Sequence, residues 1–177
     1  MSRRIIDLDG PERFIAVRDA DAGGEDYYLQ TGRGGRVVTV GIERQQVALL
    51  ADRLLIVLGE LERRGLLAIE ARGASGEEPG GAGRGEPWAP EPIAPLHEEF
   101  RVGTLTIGWD NDASRVIIEA FALVFDAGAR DSALPADADL DEEDVPDDDP
   151  LGPDLLRVRL TPLMALRFAR LAGRLAG

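Results

Sequence analysis

The sequence predicts an α+β protein built of two βββα-type repeats, with an antiparallel sheet or sheets and two helices packed on the buried face. Three observations lead there. Alternating runs give way to a helical period within residues 1–72, the same change recurs within residues 96–177, and a Gly/Pro-rich linker, 73–95, lies between them. The two halves also match in register: at an offset of 118, Val38, Val40 and Ile42 align with Leu156, Val158 and Leu160. With 177 residues and 44% hydrophobic content, the chain is large enough to bury one core as a single domain.

In the first repeat, Arg13–Arg18 and Asp26–Thr31 read as short strands. The glycines of "TGRGGR" then supply a turn before Arg36–Ile42, in which Val38, Val40 and Ile42 share one face. Val47, Leu50, Leu54, Val57 and Leu61 follow at helical spacing, in a segment that ends near Gly65. In the second repeat Phe100–Trp109 and Arg115–Phe125 are strand-like, joined by Asp110, Asn111, Asp112 and Ala113, residues that suit a tight turn. Leu156, Val158 and Leu160 form one face of a last strand. Thr161 is placed to cap a helix, Pro162 fits its first turn, and Met164, Phe168, Leu171 and Leu175 make its apolar stripe.

Net charge is −13, but residues 126–154 carry twelve carboxylates and one Arg, so −11 of it belongs to that stretch. The rest of the chain is nearly neutral, and overall acidity says little about what it binds. The acidic stretch is expected to be a disordered insert. All 20 basic residues are Arg, and there is no cysteine, hence no disulfide, thiolate metal site or cysteine nucleophile. No apolar run is long enough to cross a bilayer. The expectation is a cytoplasmic protein with no membrane partner and no cofactor or metal in this chain.

Motifs that suggest chemistry fail on spacing. Asp137, Asp139 and Asp141 match the start of an EF-hand loop, but Glu142 stands where its glycine belongs. "TGRGGR" separates two strands, whereas a phosphate loop leads into a helix. His97 is the only histidine and follows a Pro-rich linker, so no catalytic residue is assigned. Two surfaces remain as candidates. Arg18, Tyr28, Arg33 and Arg36 form a candidate nucleic-acid face, where a ring stacks on bases and guanidinium groups meet phosphates. Arg167, Arg170 and Arg174, spaced i, i+3 and i+7, form a candidate anion- or partner-binding ridge.

The blocks "PERFIAV", "YYLQTGRGGRVVTVGIERQQVALLADRL", "FRVGTLTIGWD", "RVIIEAFAL" and "LRVRLTPLMALRFARLAGRL" together resemble the actinobacterial family of domain of unknown function 3090, across both halves of the chain. The resemblance implies no catalytic residue. It does imply a Cys/His tail, similar to a zinc ribbon, beyond the last helix; this sequence stops at Gly177, so no zinc is assigned. It also implies company with a histidine-phosphatase-like and a kinase-like protein, and so a phosphate-related pathway. The expected function is an accessory or protein-interaction protein without its own catalysis. The alternative is an RNA- or single-stranded-DNA-binding module, and the third reading is a metal-dependent enzyme acting on phosphate compounds.

Overall fold

The computed structural model describes residues 3–19, 23, 26–67, 91–124 and 152–177. The 73–95 linker is thus described only from Glu91 onward, and the expectation of disorder for 126–154 lies outside the described residues except for Gly152–Asp154. The elements are β1 (Ile5–Asp9), β2 (Arg13–Asp19), β3 (Asp26–Arg33), β4 (Arg36–Ile42), α1 (Arg44–Arg63), β5 (Glu98–Asp110), β6 (Arg115–Ala122), β7 (Leu155–Leu160) and α2 (Pro162–Ala176). The fold is α+β: one seven-stranded sheet and two helices.

Local chemistry accounts for the element ends. Gly34 and Gly35 both take positive φ, +59° and +81°, which closes the two-residue β3–β4 hairpin in the sense that matches strand twist. Gly65, at φ +69°, ends α1: Leu66 N–H donates to Leu61 O and Gly65 N–H to Glu62 O, so two of the last helical carbonyls are satisfied. Asp110 Oδ1 accepts from Ala113 N–H in the β5–β6 turn, and Thr161 Oγ1 accepts from Met164 N–H at the start of α2.

The strand order is β1-β7-β6-β5-β4-β3-β2. The sequence suggested an antiparallel sheet; the sheet is instead mixed, because β1 runs parallel to β7 and β4 parallel to β5. The strand β1 also adds a seventh member that the alternating pattern did not reveal. Its five residues, IIDLD, bury only Ile6 and Leu8.

Strands β1 and β2 are consecutive in sequence yet lie at opposite ends of the strand order, separated by three linking residues. Six strand spacings in a flat sheet would put them about 29 Å apart, whereas the link from Asp9 to Arg13 reaches about 14 Å at most. The sheet therefore rolls until its edges meet. Gly10 N–H donates to Arg159 O of β7, and Glu12 N–H donates to Gly32 O of β3, so the chain crosses the seam within two residues. A similar crossing occurs within β5, whose start pairs with β4 at Glu98 and Arg101 and whose remainder pairs with β6.

Inside the roll sits one core. It joins inward strand residues such as Leu29, Val40, Ile118 and Val158 to Val47, Leu50, Ala51 and Leu54 of α1 and to Ala165, Phe168, Ala169 and Ala172 of α2. The helices run antiparallel: the Arg44 guanidinium donates to the Ala176 and Gly177 carbonyls, and Ala51 lies beside Gly173. Val38, Leu156, Leu50 and Phe168 are all buried, with no more than 2% of their surface exposed.

Candidate functional site

The sequence-picked residues are scattered. Arg18 and Tyr28 lie on opposite faces of the sheet, since Arg18 is the register partner of Tyr27 and Tyr28 that of Val17. Tyr27 is in the core, whereas Tyr28 is half-buried on the outer face. Arg33 and Arg36 flank the β3–β4 turn, five residues or more along β3 from Tyr28, and the Arg33 guanidinium donates to Asp9 O. The Tyr28 hydroxyl has its pKa raised, first by burial and then by the carboxylates of Asp26, Glu98 and Asp19, with Arg101 opposing them. Negative charge around the ring works against a phosphate there. On α2, Arg167 is half-buried while Arg170 and Arg174 are exposed. Arg167 and Arg174 both have interaction partners, which leaves Arg170 as the exposed member without one among the described residues.

Two other surfaces are closed by internal contacts. Beside β2 and β3, the segment from Glu91 to Pro95 crosses the outer face, and buried Gln30 fixes it. Its Oε1 accepts from Ile93 N–H (2.8 Å) and its Nε2 donates to Ile93 O (3.0 Å), so one side chain satisfies a residue's whole backbone. The Arg13 guanidinium donates to both Gln30 Oε1 and Glu91 O. On the outer face of β1, β7, β6 and β5, the register aligns Asp7, Arg157, Glu119 and Thr106 in a ladder. Arg157 Nε donates to Glu119 Oε1 (2.7 Å) and Thr106 Oγ1 to Glu119 Oε2 (2.9 Å), so the ladder satisfies itself.

A third surface is open. Between α1 and β5 lies a groove of about 540 Å³, lined by Gln46, Leu49, Leu50, Arg53, Val57, Gly103, Thr104, Leu105 and Ile107. The inward alternation of β5 supplies Leu105 and Ile107 as the floor, and helical spacing supplies Leu49, Arg53 and Val57 as the wall. Gln46 ties the two at one end: its Oε1 accepts from Glu43 N–H at the helix start and its Nε2 donates to Gly103 O. Leu49 is 57% exposed and Ile56, farther round the helix, 60%. At the Gly103 end, exposed Leu123 lies close enough that its Cδ1 would stand 3.2 Å from an added Cβ, so apolar surface continues there. Arg53 is exposed and, among the described residues, has no ion-pair partner. Trp109, the next inward residue of β5, carries the one buried side-chain nitrogen or oxygen among them that lacks a hydrogen-bond partner.

None of these groove residues was singled out as a site from the sequence. The available signal was an excess of apolar residues: Leu54, Leu55, Ile56, Val57 and Leu58 run consecutively on α1, more than one core-facing stripe can use.

Among the described residues no group of three or more His, Cys, Asp or Glu is arranged to hold a metal ion. No helix in them is long and apolar enough to cross a membrane. Comparison with known proteins places the chain in a family: the model described as protein of unknown function (DUF3090) matches residues 6–176, and the chain belongs to that family. No curated protein and no solved structure matches.

Proposed function

From membership of a family without an assigned activity, we propose that the chain is an interaction module with no catalytic chemistry of its own, and that the α1–β5 groove is where its protein partner binds. One observation carries this reading. Among the described residues α2 lies over β2 and α1 over β5; the first corner is sealed by Phe14 against Phe168, and the second leaves a groove with an apolar floor and a cation, Arg53, without an ion pair among those residues. Solvent-exposed apolar surface of this kind has a cost that a partner removes.

The two corners correspond because, in this reading, the chain is two equivalent units. The first is β1 with β2, then β3, β4 and α1; the second is β5, β6, β7 and α2. At the 118 offset Val47, Leu50, Ala51, Leu54 and Leu58 fall on Ala165, Phe168, Ala169, Ala172 and Ala176, and every one of these is buried. Counted through cross-strand partners, Phe14 falls on Leu105. The sealed corner thus has Phe14 and Phe168 where the open one has Leu105 and Leu50.

A photo-crosslinking residue at position 49 tests the site, with position 170 as the control surface. A polypeptide adduct that forms from position 49, not from 170, and is lost on Arg53→Glu supports the proposal. Adducts to nucleic acid, or equal yields at both positions, count against it. The nucleic-acid reading has no comparable feature in its favour, since its four residues do not share a surface.

A further inference from the structure

We infer that the groove takes its partner as an added β-strand: an extended peptide segment that pairs with the free edge of β5, directs alternate apolar side chains toward α1 and sets a carboxylate against Arg53. The inference rests on the reading of this groove as the binding site and adds the kind of partner it fits. Three features specify it.

Strand β5 outruns its neighbour. It meets β4 only at Thr39 with Glu98 and Gly41 with Arg101, and β4 ends at Ile42, whereas β5 continues to Asp110. From Thr104 onward one edge of β5 pairs with β6 and the other has no strand against it among the described residues. Those seven residues extend over about 24 Å, enough for a short peptide strand.

The backbone groups on that edge point outward. Leu123 N–H donates to Arg101 O on the β5 side, while Ala122 N–H donates to Asp154 O on the β7 side. The alternation of an antiparallel ladder then pairs Phe121, Glu119, Ile117 and Arg115 with Thr104, Thr106, Gly108 and Asp110. It turns the N–H and C=O groups of Leu105, Ile107 and Trp109 to the free edge. Leu105 and Ile107 therefore offer the groove both an apolar side chain and a backbone donor and acceptor. A strand uses both sets of groups; a docked helix would cover the side chains and leave the backbone groups unpaired.

The third feature is charge. Arg53 stands on the α1 wall among Leu49, Leu50 and Val57, exposed and without an ion pair among the described residues. An acidic residue in the added segment meets it in a bidentate, charge-assisted pair. An uncharged apolar segment has no such partner for it.

The test is selection from a random dodecapeptide library on the full chain, followed by affinity measurements on the recovered peptides. Leu49 is exposed, so Leu49→Asp keeps the fold, which circular dichroism checks. Expected peptides alternate apolar and polar residues around an Asp or Glu. They weaken on Leu49→Asp and Arg53→Glu, and N-methylation of alternate amides costs about tenfold, the equivalent of one or two net hydrogen bonds. Peptides that weaken on Leu49→Asp but tolerate N-methylation, or that carry apolar residues at helical spacing, overturn strand addition and leave the groove as the site. Recovery of no peptide, or only of peptides indifferent to Leu49→Asp, overturns both.

Discussion

The α2–β2 corner and the α1–β5 corner each set a helix over a strand, with opposite outcomes. At the first, the Phe14 and Phe168 rings lie 4.5 Å apart, tilted at 47°, and both side chains are buried. Outside it, the Gln30 anchor holds the 91–95 segment against the sheet, so the corner is closed on both faces. At the second, Leu50 and Leu105 line the corner, Leu105 is only half-buried, and a groove runs between helix and strand. An aromatic pair spans a separation that two leucines cannot. The lesson is that, at a given helix–strand separation, side-chain volume at one pair of positions decides whether the gap is filled or left as a groove.

The largest effect is expected at the sealed corner. Phe168→Ala removes one ring of the pair from a site with no room to collapse, and should cost about 3–5 kcal/mol in urea denaturation. A cost near that of an exposed substitution would show that the two corners do not differ in packing. The outer closure comes next. Gln30→Ala leaves the Ile93 N–H and C=O and the Arg13 guanidinium short of a buried partner. A loss of about 1–3 kcal/mol is expected, with faster amide exchange at Ile93.

A smaller effect, of opposite sign, is expected at the open corner. Leu105→Phe combined with Leu50→Phe copies the aromatic pair into the groove. It should raise stability by about 0.5–2 kcal/mol, as cavity filling does, while abolishing binding of any groove peptide. Unchanged peptide binding would separate the groove from the interaction. The smallest effect concerns Tyr28, on the outer face of the closed half. Its pKa is raised above the ordinary phenol value of 10.0, so the fold favours the neutral phenol. The stability this contributes is fully present below about pH 10 and is lost as pH rises through the folded pKa. Relative to the wild type, Tyr28→Phe should therefore gain stability above pH 10 and track it at pH 7–9, read from thermal midpoints across pH.

The sequence by itself determined the local structure. The period-two run Val38, Val40, Ile42 and the 3.6-period run from Val47 to Leu61 depend on residues a few positions apart, and so do the Gly34–Gly35 turn, the Gly65 helix end and the Thr161 cap. The burial of Leu50 and Phe168 follows from the same periodicity. Only the tertiary structure decided the rest. The parallel pairing of β1 with β7 joins residues about 150 apart, and nothing within IIDLD encodes which edge it meets. The acids and arginines of the outer face read as free surface charge until register sets Asp7, Arg157 and Glu119 side by side. The α2 arginines were selected for spacing along the chain and Arg18, Tyr28, Arg33 and Arg36 for a shared sheet face, but a surface depends on which face and which neighbour each receives. The groove was hidden for the same reason. Leu49, Val57, Leu105 and Ile107 are equally apolar whether covered or not, and their exposure depends on the distance between α1 and β5, which is set by packing across the whole roll rather than by any one segment.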